Sequence, residues 1–436
     1  MTAVALPERL RAAKSAARPR ATGRVRAVIG MSVTVEGVQA AIGEAVAIAR
    51  PAGRLIAEVV AIEEGGMVCM PLGELAGVRA GAVVEVAPGR LSVPVGDALR
   101  GRVLDALGRP IDGGPDLRGL PRVGTAGTPP HPLRRAMVDS QLPLGVRVID
   151  TLIPCGRGQR MGIFAGSGVG KSSLLSMVAR GTEADISVLA LVGERGREVR
   201  EMIEHDLGQA GLARSVVVVA TSDEPALMRL QAAQTATRIA EWFRDNGRHV
   251  VLMMDSLTRY CMAQREVGLA AGEPPATRGY PPSVFALLPR LLERAGAGEK
   301  GSITGLYTVL VEGDDMNDPV ADSARSILDG HIVLSRKLAT SGHFPSVDVL
   351  ESVSRVAPRV MSAEQITQAS ELRKLMAAYR EAKDLIDIGA YAKGANPTVD
   401  RAIQLKAATD LFLRQEVATV APVAQSLAAL AMLVAP

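Results

Sequence analysis

The stretch 165-AGSGVGKS-172 decides how this chain folds, because it joins a predicted strand to a predicted helix through small residues. The strand is RMGIF at 160–164, and the helix is SSLLSMVAR at 172–180. Glycines let the backbone turn its N–H groups inward around an anion, which also faces the positive end of the helix. Lys171 would then reach the β- and γ-phosphates of a nucleoside triphosphate, and the Ser172 hydroxyl would ligate Mg²⁺.

Short apolar runs alternate with helical stretches from about residue 145 onward. Continuously apolar runs suit parallel strands that are covered on both faces. Such alternation predicts an α/β domain with a parallel sheet. The predicted strands after the first are 185–193, 215–221, 249–255 and 303–311, and the predicted helices between them are 171–180, 196–208 and 225–245.

The two ends of the chain have different patterns. Residues 23–88 contain short Val- and Ile-rich runs broken by Gly, which predicts a small closed or sandwiched β domain. The Gly- and Pro-rich stretch 91–145 predicts an ordered connector with turns. From Ser362, a plausible helix start, the pattern is helical. We therefore expect a basic arm at 1–22, a β-barrel at 23–90, a phosphate-loop ATPase domain at 91–360 and a helical domain at 361–436.

Composition excludes several classes of protein. The 436 residues carry 50 basic and 46 acidic side chains, a balance that does not by itself imply nucleic acid. Cys69, Cys155 and Cys261 are far apart, which predicts no disulfide framework and a reducing, cytosolic location. The histidine spacings predict no structural zinc. No segment is long and apolar enough to span a membrane, and the tail 420–436 predicts a packed amphipathic helix.

The N-terminus carries a basic cluster without a signal-peptide core. One interpretation is a solvated arm, and the other is a helix that binds an acidic partner or a membrane surface. The basic residues outnumber the single acidic residue of this stretch, Glu8. They are Arg9, Arg11, Lys14, Arg18, Arg20, Arg24 and Arg26.

Two carboxylates follow predicted strands, and strand ends point toward the phosphate site in such a sheet. Asp255 ends the buried run HVVLMMD, where it would hold Mg²⁺; the alternative is a cap for the next helix. Glu194 ends ISVLALVGE and could orient or deprotonate an attacking water; the alternative is a surface ion pair with Arg197 or Arg200.

Seven motifs of this sequence together resemble those of the ring ATPases related to the catalytic subunit of rotary ATP synthases. Within that group the chain is most similar to the type III protein-export ATPases, and to their flagellar branch above all. The resemblance covers roughly 23–436 and implies an N-terminal small β-barrel, a central α/β RecA-like P-loop ATPase domain and a C-terminal α-helical domain. The motifs are GRVLDALGRPIDGGP (101–115), PCGRGQRMGIFAGSGVGKSS (154–173), LVGERGREVREM (191–202), MMDSLTRY (253–260), GEPPATRGYPPSVF (272–285), LESVSRV (350–356) and AYREAKDLIDIGAYAKGANPTVDRAI (378–403).

The resemblance implies Mg²⁺ as cofactor and ATP as substrate. Phe344 takes the place where the family stacks an aromatic ring, commonly Tyr, on adenine, although it could be an ordinary core residue. Ala165 stands where the phosphate loop usually begins with Gly. The residues implied to bind the nucleotide are Ala165, Gly166, Ser167, Gly168, Val169, Gly170, Lys171, Ser172, Ser173 and Phe344.

The resemblance also implies the catalytic roles. Glu194 activates water beside Lys171, while Arg195 and Arg259 support the γ-phosphate region. Asp255 holds Mg²⁺ through water. Arg355 is the arginine finger that reaches the active site of the neighbouring subunit.

A chain that carries both Glu194 and Arg355 favours a homo-oligomer, by resemblance a hexameric ring in which every interface is catalytic. The implied partners are export-gate membrane proteins, a regulatory protein that binds the N-terminus, export substrates and chaperones, but no nucleic acid. The implied location is cytoplasmic and peripheral at the inner-membrane export gate. The stretch 265–275, including Glu266 and Val267, is a candidate pore loop.

Four alternatives share parts of this pattern. They are an injectisome type III secretion ATPase, a catalytic subunit of a rotary ATP synthase, an RNA-translocating ring helicase and a non-enzymatic nucleotide-binding subunit. The stretch 378–403 argues against the synthase. No aromatic residue precedes Phe164, so the β domain lacks the stacking platforms that single-stranded RNA needs. Glu194 argues against a non-enzymatic subunit.

Overall fold

The computed structural model describes residues 21–87, 91–311, 313 and 315–435. The part of the predicted basic arm before residue 21 lies outside this description. The described chain forms two compact units. One contains the N-terminal strands together with Leu269–Gly272, and the other contains the residues from Ser92 onward apart from those four.

Within the described residues of the first unit, six strands close into a barrel in the order β1-β2-β5-β4-β3-β6. Alternate side chains such as Val33, Val35 and Ile48 are fully buried in its core, as the Val- and Ile-rich runs require. The predicted β-barrel is therefore confirmed. Its strands are β1 (Thr22–Ile29), β2 (Ser32–Glu36), β3 (Ala45–Arg50), β4 (Gly53–Glu63), β5 (Gly66–Pro71) and β6 (Val83–Val86).

A mostly parallel sheet forms the centre of the second unit. Nine strands belong to it among the described residues, eight of them in the order β17-β16-β10-β15-β13-β11-β12-β8, while β14 pairs with β15. Only β14 and β17 run antiparallel to their neighbours in this described sheet. The strands are β8 (Arg102–Asp105), β10 (Arg160–Ala165), β11 (Ile186–Glu194), β12 (Ser215–Thr221), β13 (His249–Asp255), β14 (Gly296–Ala297), β15 (Ser302–Leu310), β16 (Gly330–Leu334) and β17 (Val347–Ser354), and β7 (Ser92–Pro94) pairs separately with β9 (Arg122–Gly124).

Helices connect and cover these strands. The predicted helix 196–208 is interrupted in the structure, because a π-helical turn at Met202–Leu207 separates two short α-helices. The helices before the C-terminal region are α1 (Arg147–Leu152), α2 (Lys171–Gly181), α3 (Gly196–Glu201), α4 (Gly208–Ala213), α5 (Ala226–Asp245), α6 (Leu257–Ala270), α7 (Pro282–Leu292), α8 (Pro319–Ile327), α9 (Arg336–Thr340) and α10 (Ala357–Val360).

The C-terminal region is helical, as predicted: α11 (Ala363–Asp387), α12 (Pro397–Leu413) and α13 (Val423–Val434). A capping box between Ser362 and Gln365 starts α11. These helices share one hydrophobic core with the sheet, because Leu372 and Leu430 belong to the same buried cluster as Ile163. None of the helices in the described part of the chain is long and apolar enough to cross a membrane.

A close backbone contact fixes the far end of α2, the helix that follows the phosphate loop. A Cβ atom added at Gly181 would lie 2.8 Å from the Leu144 carbonyl oxygen and 2.9 Å from Gly145 Cα. The opposing backbone cannot retreat easily, because the buried Asp150 carboxylate accepts hydrogen bonds from the amides of Leu144 and Gly145, both at 2.8 Å. Only glycine at 181 allows this approach.

Gly181→Ala should therefore destabilise the protein by about 1–3 kcal/mol, although alanine is the better helix former. Thermal unfolding followed by circular dichroism measures the effect as a lower transition midpoint. Gly119→Ala is the matched control, since an added Cβ there meets nothing within 4 Å. An equal midpoint for the two variants would show that the Gly181 contact does not constrain α2.

Candidate nucleotide-binding and catalytic site

The predicted phosphate loop follows β10 and ends at α2. Gly168 and Gly170 have φ angles of 73° and 96°, the left-handed region in which glycine is favoured. The side chains of Ala165 and Val169 are buried, and Arg336 donates a hydrogen bond of 3.1 Å to the Ser167 carbonyl oxygen. The loop is thus anchored through buried side chains and carbonyl oxygens, while the first amides of α2 have no partner within the helix.

Lys171, the first residue of α2, lies between two carboxylates. Its Nζ is 2.6 Å from Asp255 Oδ1 and 3.2 Å from Glu194 Oε1. Burial disfavours the charge of Lys171, but the two carboxylates outweigh burial and raise its pKa. The structure thus brings together the three residues that the sequence predicts for phosphate binding, water activation and metal binding.

A bulge in β11 sets the direction of Glu194. The pairing with β12 shifts between Val192 and Glu194, and Gly193 has a φ of 70°. Burial first, and then the charge of Asp255, raise the pKa of Glu194 to about 7. A carboxylate with a pKa near neutrality is suited to accept a proton at physiological pH.

Asp255 ends β13 and is 4% exposed. Thr308 on β15, the strand next to β13, donates a hydrogen bond of 2.7 Å from Oγ1 to Asp255 Oδ1. The sequence interpretation missed Thr308. Thr308 is one of three buried Ser or Thr residues in β15, so the sequence of the strand does not distinguish it from Ser302 and Thr304.

Ser172 and Asp255 supply the oxygen atoms that Mg²⁺ prefers. Ser172 is exposed in the first turn of α2, and Asp255 lies beside Lys171 at the same edge of the sheet. The described residues contain no cluster of three or more His, Cys, Asp or Glu side chains suited to a metal ion. The donors present therefore fit a magnesium ion that takes its other ligands from phosphate and water.

The two predicted arginines near Glu194 differ. The Arg195 side chain is 76% exposed and lies 3.4 Å from Glu198, so this conformation does not place it among the three charged residues. Arg259 is half-buried against Gly193, where an added Cβ would lie 3.0 Å from Arg259 Cβ. Its Nε is buried and has no hydrogen-bond partner among the described residues. Arg259 therefore has unused hydrogen-bonding capacity beside the site.

Phe344 lies next to the phosphate loop and is 39% exposed. An added Cβ at Gly170 would lie 3.3 Å from its ring. Ser346, two residues later, donates a hydrogen bond to the Val169 carbonyl oxygen. The ring thus lies beside the loop and is partly exposed, so Phe344 is not an ordinary core residue.

Arg355 follows β17, and its side chain is exposed. Its Nη2 lies 3.3 Å from the Arg325 carbonyl oxygen. The described chain does not bring Arg355 into contact with Lys171 or Glu194.

The candidate pore stretch differs from its prediction. Residues 265–270 form the last turns of α6, so they are helical and do not form a loop. Val267 is 6% exposed, and Glu266 forms an ion pair of 2.6 Å with Arg229. Val267 is therefore part of the core, whereas the Glu266 side chain remains 32% exposed beside its ion pair with Arg229.

Two sequence-family descriptions match this chain. The ATP synthase alpha/beta family, nucleotide-binding domain, matches residues 145–354. The T3SS EscN ATPase C-terminal domain matches residues 361–432.

Relatives that match nearly the whole chain belong to the same two groups of proteins. The flagellum-specific ATP synthase of Bacillus subtilis is 53% identical, over 94% of each chain. The assembled ATPase EscN of the enteropathogenic E. coli type III secretion system superposes with a TM-score of 0.90 at 47% identity, over 95% of this chain and 100% of EscN. EscN in complex with its central stalk EscO gives a TM-score of 0.88 at 45% identity, with the same shares covered.

The pKa of Glu194 predicts a pH dependence. If Glu194 must be ionised to accept a proton, kcat/KM for triphosphate hydrolysis should fall as the pH drops below about 7. Glu194→Gln should lower kcat by about 10²- to 10⁴-fold and remove this limb of the profile. Steady-state hydrolysis between pH 5.5 and 9 measures both. Glu201→Gln, which changes an exposed carboxylate in the same segment, should keep the wild-type profile. An unchanged profile in Glu194→Gln would exclude Glu194 as the base.

Proposed function

Because the chain belongs to the ATP synthase alpha/beta family, and within it to the type III export ATPases, we propose that it hydrolyses ATP for flagellar protein export. The flagellum-specific relative at 53% identity supports the flagellar assignment. ATP hydrolysis would be coupled to the release of export substrates from chaperones, to their unfolding and to their export. The observation that carries the enzymatic part is Lys171 held between Glu194 and Asp255.

The cluster of Lys171, Glu194 and Asp255 suggests how substrate binding prepares the site for hydrolysis. Lys171 neutralises part of the charge of two carboxylates. The phosphates of ATP are stronger partners for an ammonium group, and the loop amides and the start of α2 offer further donors to them. When Lys171 turns toward the phosphates, Glu194 loses its cation and becomes free to orient a water and accept its proton. Arg259 has an unpartnered Nε that can serve the γ-phosphate region.

Mg²⁺ is the cofactor that we propose, with the Ser172 hydroxyl as a direct ligand and Asp255 as a ligand through water. Two carboxylates against one lysine give this cluster a net negative charge, which opposes a triphosphate. The metal would supply the compensating positive charge beside the β- and γ-phosphates. Thr308 holds the Asp255 carboxylate in place.

We propose that the active form is a homo-oligomeric ring, as a hexamer. The relative EscN is known as an assembled ATPase. Arg355 is exposed, and it does not contact the charged residues of its own site, so it is available to a neighbouring subunit. Phe344 would stack on adenine, since its partly exposed ring lies beside the phosphate loop.

The remaining partners and the location are proposals on the same basis. They are the export-gate membrane proteins, a regulatory protein at the N-terminus, chaperones and export substrates, at the cytoplasmic face of the inner membrane. EscN forms a complex with its central stalk EscO, which supports a corresponding stalk protein here. We also propose domain boundaries near residues 22, 90 and 360. The second compact unit starts at Ser92, which supports the boundary near 90. The match to the C-terminal family starts at residue 361, which supports the boundary near 360.

The second candidate function is a type III secretion ATPase of an injectisome, which the similarity to EscN favours. The two candidates share all of the ATP chemistry and differ in the proteins exported. A rotary synthase subunit is disfavoured, because residues 361–432 match the T3SS EscN C-terminal domain.

The shared active site can be tested by mixing two inactive variants. Arg355→Ala should lower kcat by about 10³- to 10⁵-fold, and Lys171→Ala should abolish triphosphate binding. In a randomly mixed ring of equal parts, about one interface in four combines an intact loop with an intact arginine, so activity should return to about a quarter of wild type. ATP hydrolysis of the mixture, with mass measured in parallel, tests this. No recovery from fully assembled mixed rings would contradict the arginine finger in trans.

Export itself is tested in the native bacterium with a chromosomal Glu194→Gln substitution. Flagellar proteins in the culture medium and filaments on the cell should both fall severalfold, while the amount of the ATPase stays constant. Glu201→Gln is the matched control. Normal filaments together with the loss of other secreted proteins would favour the injectisome function instead.

A further inference from the structure

We propose that Gln415 is a positioning residue that holds Phe344 in place for the nucleotide base and thereby couples the C-terminal helices to nucleotide affinity. This inference rests on the proposed role of Phe344 as the base-stacking residue. Gln415 belongs to the segment 414–422 between α12 and α13, outside every motif that the sequence offers for nucleotide binding.

The backbone of Gln415 is bonded directly to Phe344. The Gln415 amide donates a hydrogen bond of 3.0 Å to the Phe344 carbonyl oxygen. This bond connects the segment after α12 to the segment that precedes β17. Any displacement of the backbone at 415 therefore acts on the residue that carries the exposed ring.

The side chain of Gln415 fixes that backbone by three further hydrogen bonds. Its Nε2 donates to the carbonyl oxygens of Gly145, at 2.8 Å, and Thr419, at 2.7 Å, and its Oε1 accepts from the Arg147 amide at 2.8 Å. Gln415 is only 6% exposed. A buried amide with these partners has little freedom, because each lost bond would leave a buried polar group unsatisfied.

Phe344 is joined to the phosphate loop on its other side. Ser346, which is 1% exposed, donates a hydrogen bond to the Val169 carbonyl oxygen. Residues 344–346 are thus held between the loop and Gln415. Neither Gln415 nor its side-chain partners belong to the charged cluster of Lys171, Glu194 and Asp255, so the phosphate contacts do not depend on Gln415 directly.

The segment keeps other attachments when the Gln415 side chain is removed. Arg147 Nη1 donates a hydrogen bond of 3.1 Å to the Phe412 carbonyl oxygen, and the Ala421 amide donates one of 3.0 Å to Gly145. We therefore expect the fold to survive, while the backbone at 415 and the ring of Phe344 become less well positioned.

The experiment compares a ligand that has a base with one that has none. Gln415→Ala should weaken ADP binding by about fivefold to tenfold, the loss expected for one or two hydrogen bonds, and change inorganic tripolyphosphate binding by less than about twofold. Titration calorimetry with magnesium present measures both. KM for ATP should rise while kcat stays near wild type. Gln404→Ala, an exposed glutamine of α12, is the matched control and should behave as wild type.

Further variants separate the possible outcomes. Phe344→Ala should weaken ADP selectively, and combining it with Gln415→Ala should add little, since both act on the same ring. If Phe344→Ala loses ADP affinity selectively and Gln415→Ala does not lose it, the role of Gln415 is overturned while the stacking role of Phe344 stands. Equal loss of ADP and tripolyphosphate in Gln415→Ala also overturns it, as a general structural effect. No loss in Phe344→Ala overturns the stacking role and the inference together. Gln415→Met, which keeps the volume, replaces the alanine variant if that variant unfolds.

Discussion

The ion pairs of Lys171 with Asp255 and Glu194 are the interaction on which the rest of the site depends. Glu194 and Asp255 end β11 and β13, and Lys171 begins the helix after the loop that follows β10, so the contact requires these three strands to run parallel and finish at one edge of the sheet. Between β10 and β13 lies β15, which contributes the Thr308 hydroxyl to the same carboxylate. The fold therefore places one cation and two anions within a few ångströms, at the edge where α2 begins.

The cluster holds two carboxylates against one ammonium group, so its charges are not balanced. Burial first, and then the charge of Asp255, raise the pKa of Glu194, because the charged form is disfavoured both away from water and beside a second carboxylate. A triphosphate that attracts Lys171 would remove the compensating cation. Positive charge must then come from elsewhere, and the candidates are Mg²⁺ at Ser172 and Asp255, Arg259 within the chain and Arg355 from a neighbour. The same electrostatic need would account for the proposed metal, for the proposed role of Arg259 and for the proposed arginine from a second subunit.

The sequence predicted what short-range patterns encode. Glycine spacing marked the phosphate loop, apolar runs marked the parallel strands, and Ser362 marked the start of α11. It did not predict β8, because that edge strand has only four residues within a Gly- and Pro-rich stretch. It also wrongly placed Glu266 and Val267 in a loop, since long-range partners decided their environment: Arg229 for one and the core for the other. Thr308 and Gln415 were missed because the site residues that they contact, Asp255 and Phe344, lie 53 and 71 residues away in the sequence.

Long-range contacts of this kind also connect the C-terminal helices to the candidate nucleotide site. Leu372 and Leu430 share a core with the strand that leads into the phosphate loop, so the helices cannot shift without disturbing buried apolar contacts. The polar counterpart is the chain of hydrogen bonds from Thr419 through Gln415 to Phe344, and from Ser346 to the loop. Apolar packing holds the C-terminal helices against the sheet, and the hydrogen bonds link those helices to Phe344, the proposed base-stacking residue. A partner that moves the C-terminal helices would therefore change the contacts to the nucleotide base more than the contacts to the phosphates.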